Sequence, residues 1–288
     1  MILVTGAAGK TGRAVVRALA GKGEKVKALV RRPEQVEQLK ALGAAEVVVG
    51  DMLSQVTFEH IIPGCRAVYH ICPNVDPYEI VIGAFAIQEA HAAGVEHFVY
   101  HSVLHPQTED MPHHWKKLHV EEILFESGLN FTIFQPAVYM QNFLSSWKKI
   151  TNEHVYPVPY PVETRLSMVD LEDVAEVAAK VLAESGHQGA TYELVGCEPL
   201  AQTEAADCLS QVLGYPVKAE RVDLETWTAQ AQKAGMGEYQ LDTLLKMFQY
   251  YEKHGLWGSP RVLTWLLNRP PTSFTEFAAR VVSERKIK

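Results

Sequence analysis

Met1-Ile2-Leu3-Val4-Thr5-Gly6-Ala7-Ala8-Gly9-Lys10-Thr11-Gly12-Arg13 opens the chain. An apolar, β-branched run ends at three glycines, and from Arg13 to Ala20 apolar side chains recur at helical spacing. The stretch therefore reads as strand, turn and helix. Gly6 suits the tight turn, Gly9 lets a backbone approach a pyrophosphate, and Gly12 lets the helix lie against the strand. The helix start adds unpaired N–H groups and a partial positive charge, a site for an anion. Ala8, Lys10 and Thr11 belong to the same turn and complete the candidate phosphate contacts. The pattern lacks the Gly-Lys-Ser/Thr ending of an ATP-type loop. A structural turn with no ligand is the alternative.

Outward from this turn, short β-branched runs at 25–30, 46–49, 67–71, 97–102 and 130–134 alternate with helical periodicity at 33–42, 78–93 and 115–127. Gly94 and Gly128 stand where the last two helices should end. This alternation predicts an α/β fold, a Rossmann-type doubly wound parallel sheet with helices on both faces. Beyond Tyr139 the pattern loosens. Residues 155–161 hold three prolines and read as an extended excursion. A strand at 166–169, a helix at 171–182 and a strand at 191–195 follow, then helices at 202–213, 223–234, 241–253 and 274–282. We expect a dinucleotide-binding domain over 1–150, completed by 164–197. A smaller, mostly helical substrate or partner domain is expected over 198–288, with 151–163.

Composition narrows the partners. The 288 residues carry 27 Lys and Arg against 34 Asp and Glu, a formal charge of −7. Such a field repels phosphate backbones, so direct nucleic-acid binding is not expected. No apolar run approaches the roughly 18 residues of a membrane helix. Met1 to Gly6 shows neither a basic segment nor a cleavage site, and a cytoplasmic location is expected. The four cysteines lie far apart with no CxxC pair, so reduced thiols are expected. The histidines offer pairs such as His101 with His105, but no third ligand, and no metal is expected.

The end of the second strand reads Leu29-Val30-Arg31-Arg32-Pro33. Two guanidiniums with no carboxylate favour a ribose 2′-phosphate, hence NADP over NAD. Solvated surface charge is the alternative for both. Asp51, after the third strand, is placed to reach an adenine edge or to cap the helix that follows Leu53.

Thr5 to Gly12, Val30-Arg31 and Gly50-Asp51 together resemble the NmrA-like branch of the atypical short-chain dehydrogenase/reductase family. Ser127 to Ile133 with Pro136 and Asn142, Asp170 to Ala175, and Pro271 to Phe277 are similar to later segments of that branch. The resemblance spans nearly the whole chain. It implies either an NADP-dependent reductase of quinones, isoflavonoids or dyes, or a non-catalytic dinucleotide sensor acting through a protein partner.

The broader family places a Tyr and a Lys four residues apart on one helix. Aligning on Val120-Glu121 makes Lys117 the family lysine and puts His113 where the tyrosine would sit. Lys117 is expected to hold the nicotinamide ribose and favour negative charge nearby; a solvated lysine is its alternative, and Lys116 is the weaker candidate. His113 is expected either to donate a proton near neutral pH or to be an exposed residue at the helix start. Ser102 resembles the family's serine at a strand end, with a turn hydrogen bond as the alternative. Cys72 ends the fourth strand near the expected nicotinamide path, as a redox-sensing thiol or a buried structural one. Tyr139, Phe143, Trp147, Tyr156 and Tyr160 are candidates for the wall of a flat apolar pocket or for core. The sequence thus points to a reductase passing hydride from NADP(H) to a quinone-like or apolar carbonyl acceptor.

Overall fold

A computed structural model describes residues 1–286. Within it the chain divides into two compact units. The first comprises Met1–Glu109, His113–Pro136 and Val174–Glu193, and the second Asp110–Pro112, Ala137–Asp173 and the chain from Leu194 onward.

In the first unit β1 (Ile2–Val4), α1 (Lys10–Gly21), β2 (Val26–Val30), α2 (Val36–Ala41), β3 (Glu46–Val49), α3 (Gln55–Ile61), β4 (Ala67–His70), α4 (Glu79–Ala92), β5 (His97–His101), α5 (Pro112–Glu126) and β6 (Phe131–Pro136) follow one another. The chain continues through β7 (Val138–Tyr139), α6 (Trp147–Asn152), β8 (Val155–Val158), β9 (Arg165–Leu166), β10 (Met168–Val169), α7 (Leu171–Ala183) and β11 (Ala190–Leu194). Seven strands form one sheet in the order β11-β6-β5-β4-β1-β2-β3. The first six pair in parallel, and Gly189 N–H→Phe131 O with Ala137 N–H→Leu194 O shows that β11 runs the same way. The order turns at β1 and β4, so right-handed crossovers send α1 and α4 to opposite faces. This is the doubly wound sheet expected from the sequence.

One face of the sheet presents Leu3, Leu29, Val68, Phe98, Tyr100 and Ile133, and the apolar sides of α3, α4 and α5 pack on it through Phe58, Ile82, Ala86, Val120 and Leu124. The approach of α4 to α5 is close. A Cβ on Gly83 would stand 2.6 Å from Val120 Cγ1. Gly94 and Gly128 follow α4 and α5 with φ of +66° and +73°, the left-handed geometry that ends a helix.

The second unit departs from the sequence reading in several places. The proline-rich stretch forms β8, which pairs in parallel with β13 (Lys218–Arg221) after β12 (Leu200–Ala201) and α8 (Gln202–Leu213). Pro157 is tolerated because this sheet has only two strands, so the proline's missing N–H can face outward. The single strand expected at 166–169 is two. Leu166 pairs with Leu200 and Met168 with Val138, while Ser167 between them donates its N–H to Leu256 O and accepts from Gly258 N–H. Helices α9 (Leu224–Lys233), α10 (Glu238–His254), α11 (Arg261–Leu267) and α12 (Phe274–Lys286) complete the chain. Asp173 accepts from the Arg269 guanidinium at 2.8 Å and Thr272 N–H at 2.7 Å, and Asp170 accepts from Arg280 at 2.6 Å. These buried carboxylates fasten the C-terminal segment. No helix among the described residues is long and apolar enough to cross a membrane.

The sheet interior holds imidazoles that burial keeps neutral. His97 donates Nε2–H to Thr132 Oγ1 at 2.9 Å, because the Thr132 hydroxyl proton is already given to His187 O. Burial, with the charges of His187 and Arg66, lowers the His97 pKa from 6.5 to about 4. The unfolded chain therefore binds a proton that the folded chain refuses, and stability falls as pH drops from about 6.5 toward about 4. The shift amounts to roughly 3 kcal/mol. His97→Gln keeps a donor for Thr132 and removes the titration. Urea denaturation at pH 7.5 and 4.5 should show the variant losing about 2 to 3 kcal/mol less stability than the parent; an equal loss would exclude His97 from acid unfolding.

Candidate functional site

The glycine turn takes the geometry its spacing predicts. Gly6 has φ +57°, and a Cβ there would lie 2.8 Å from Ile71 O. At Gly12 a Cβ would lie 2.4 Å from Gly6 O, so only glycine lets α1 start this close to the turn. Gly9 caps α1 with no side chain, and no acidic residue occupies the first turn. Gly9 N–H donates to Gly6 O and Arg13 N–H to Gly9 O. No protein acceptor among the described residues meets the N–H groups of Ala8, Lys10, Thr11 or Gly12. Gly9 and Lys10 are exposed, whereas Thr11 and Gly12 are buried. A bare, cationic helix start of this form fits a phosphate pair.

Ala7 N–H→Leu29 O ties the turn to β2, so Arg31, two residues further on, stands at the same sheet edge. Arg31 and Arg32 are both exposed. The Arg32 guanidinium reaches Glu34 at 3.4 Å and its backbone N–H donates to Gln35 Oε1, whereas Arg31 has no carboxylate in ion-pair range among the described residues. The two arginines are thus not equivalent, and Arg31 is the free cation. Asp51 is exposed and its Oδ1 accepts Leu53 N–H at 3.0 Å. It closes a turn and does not cap α3, whose cap position is Ser54.

The remaining candidates converge under the carboxyl ends of β4 and β5. Lys117 is buried, not solvated: its Nζ donates to Glu79 Oε1 at 2.8 Å and to His101 O at 3.1 Å. It stands 5.2 Å from the centroid of the Tyr100 ring. Glu79 is 0% exposed and also accepts from Tyr100 Oη–H at 2.8 Å. Cys72 is buried beside it. Burial and the Glu79 carboxylate push the thiol well above its ordinary pKa, which opposes the thiolate a redox sensor needs. Ser102 donates its hydroxyl to Glu121, and Gln135 Nε2 donates to both oxygens of the same carboxylate at 3.1 and 3.0 Å. Burial nevertheless raises the Glu121 pKa. Ser102 is therefore committed to a protein partner.

His113 is not exposed at the helix start. It is half-buried, and burial and the Lys117 charge hold its pKa well below 6.5. Both influences disfavour the protonated ring. Lys116, the weaker lysine, lies at the surface side of α5 and donates to Pro77 O at 2.7 Å.

Glu79, Tyr100, Glu121 and Gln135 escaped the sequence reading. Glu79 opens an apolar helix and stands four residues before Gly83, while Lys117 stands three before Val120. Both pairs of positions share a helix face, so the Gly83–Val120 contact sets the ion pair one turn away. An acid four residues ahead of an interior helix glycine was the available signal. Among the pocket candidates, Tyr156 and Tyr160 are core of the second unit, as is Phe143, which packs edge-on against Phe274 and Phe277. Tyr139 and Trp147 are half-buried there.

Known proteins share the fold and the length of this chain. The NmrA-like family model matches residues 1–278. The NAD(P)H azoreductase of Xenophilus azovorans is 30% identical over 280 residues, covering 96% of each chain. Among solved structures, the NADPH-dependent quinone oxidoreductase of Escherichia coli in complex with NADPH superposes with a TM-score of 0.85 at 25% identity, over 98% of this chain and 100% of that one. The triphenylmethane reductase of Citrobacter sp. gives 0.86 at 25% identity, over 98% and 99%. With the family model spanning most of the chain, the protein belongs to the NmrA-like family.

Proposed function

We propose that this chain is an NADP(H)-dependent reductase that delivers hydride to a quinone-like acceptor. One observation carries the reading: the uncapped start of α1, with four N–H groups awaiting an acceptor, shares its sheet edge with the unpaired Arg31. The named activities of the relatives, an azoreductase and a quinone oxidoreductase, point the same way.

The residues divide the work by their chemistry. The N–H groups of Ala8, Lys10, Thr11 and Gly12 hold the phosphates, aided by the charges of Lys10 and Arg13. Arg31 takes the 2′-phosphate through its guanidinium fork. The nicotinamide, when bound, supplies the hydride. Lys117 contributes a fixed positive charge and its remaining N–H donor.

The lowered basicity of His113 favours one acceptor over the other. Reducing an isolated carbonyl creates an alkoxide, a strong base that needs an acid in the transition state. Reducing a quinone creates a hydroquinone anion, a far weaker base that solvent protonates afterwards. A neutral His113 therefore suits the quinone and handicaps the carbonyl.

Two measurements test this. Arg31→Ala should weaken NADPH binding by about 1 to 3 kcal/mol and leave NADH nearly unchanged; equal losses would remove the NADP preference. NADPH oxidation by the parent protein should run at least about tenfold faster with a benzoquinone than with an aliphatic aldehyde. Tight NADPH binding with no turnover on either would leave a dinucleotide sensor in place of the reductase.

A further inference from the structure

We infer that Glu79 is a positioning residue for Lys117, fixing its ammonium under the carboxyl end of β5 so that a single N–H is left for the dinucleotide. The inference rests on the reductase reading and deepens it at the same site.

Donor counting gives the first argument. An ammonium has three N–H donors and no acceptor. Glu79 Oε1 takes one at 2.8 Å and His101 O takes another at 3.1 Å. These two bonds, with the Tyr100 ring 5.2 Å from Nζ, fix the head of a side chain that otherwise swings freely. The third donor has no acceptor among the described residues.

Energetics gives the second. Glu79 is 0% exposed and Lys117 5%, so both charges have lost their water. A buried pair of this kind seldom stabilises a fold more than apolar residues of the same volume would. Here the arrangement is costlier still, because Glu79 Oε2 makes no hydrogen bond. Stability alone does not account for a desolvated pair with an unused carboxylate oxygen. Placement at the carboxyl edge of a parallel sheet, where open α/β sheets bind ligands, does.

Construction gives the third. Glu79 is the first residue of α4, where the helix dipole favours an anion, and Tyr100 Oη–H holds its Oε1 from the β5 side. The Gly83–Val120 contact fixes α4 against α5 one turn further on. Glu79 is thus held by contacts other than its bond to Lys117.

The test is a binding cycle read by NADPH fluorescence, using Glu79→Gln, Lys117→Met and the double variant. Each single variant should raise the NADPH Kd about tenfold, and the double variant should match Lys117→Met within about twofold, since Glu79 acts only through the lysine. The double variant removes both charges together and so is expected to fold. Losses that multiply would show Glu79 acting independently and overturn the proposal, as would a parental Kd in Glu79→Gln beside a weakened Lys117→Met. Either result leaves the reductase reading intact. A parental Kd and parental quinone turnover in Lys117→Met would instead remove Lys117 from the site, and the role of Glu79 with it. Should Glu79→Gln fail to fold, Tyr100→Phe withdraws the phenol from Glu79 while keeping the ring. It should raise the Kd about threefold, with no further effect in the Lys117→Met background; no change in the parental background would overturn the proposal.

Discussion

The contact on which the first unit depends is the one between Gly12 and the Gly6 carbonyl. A Cβ at residue 12 would stand 2.4 Å from that oxygen, well inside van der Waals contact. With hydrogen in its place, α1 begins directly above the end of β1, and its first N–H groups face the sheet edge instead of a capping side chain. The same close start leaves three orphan donors in the first helical turn and a fourth at Ala8. An ordinary Ser or Asp cap at residue 9 would satisfy one of them and place a side chain over the turn. Gly9 does neither. The start of α1 and its unsatisfied N–H donors thus follow from one steric fact.

A second close approach does comparable work on the far side of the switch in strand order. Gly83 admits the Val120 methyl groups and brings α4 and α5 together. Side chains one turn earlier on each helix, Glu79 and Lys117, then meet whether or not their charges would repay the lost hydration. Tyr100 and the His101 carbonyl, both from β5, complete the set. Backbone geometry therefore specifies the pair, and the pair specifies where one ammonium points.

The sequence made the first of these approaches legible and hid the second. Gly6, Gly9 and Gly12 lie within seven residues between a strand and a helix, so local reasoning assigns each a task. Gly94 and Gly128 were legible for the same reason, as terminators of periodic helices. Glu79 and Lys117 are 38 residues apart, on helices joined through a strand, and nothing local marks either as buried. Lysine is so often solvated that burial of Lys117 is visible only once the α4–α5 contact is known. In the second unit the limits were of another kind. Ser167 breaks an apolar run into two strands because its neighbours pair in different sheets, and seven-residue α11 is too short for its period to stand out. Proline within β8 argued against a strand, and a two-stranded sheet removed the objection.

The buried ammonium also organises the titratable groups around it. His70, His101, His113 and His114 all have pKa values lowered chiefly by burial, and in each the charge of Lys117 adds to the shift. His70 and His101 fall to about 3, and His114 to about 4. The protonated form of all four imidazoles is therefore disfavoured near the Lys117 ammonium. Preorganised charge of this kind stabilises negative charge without rearrangement when it develops nearby. A site needing an imidazolium acid would be poorly served by such an environment, because burial, with the ammonium's charge added, suppresses the protonated ring. One that needs only an electrostatic partner for an anionic product is better served by a buried ammonium held in place.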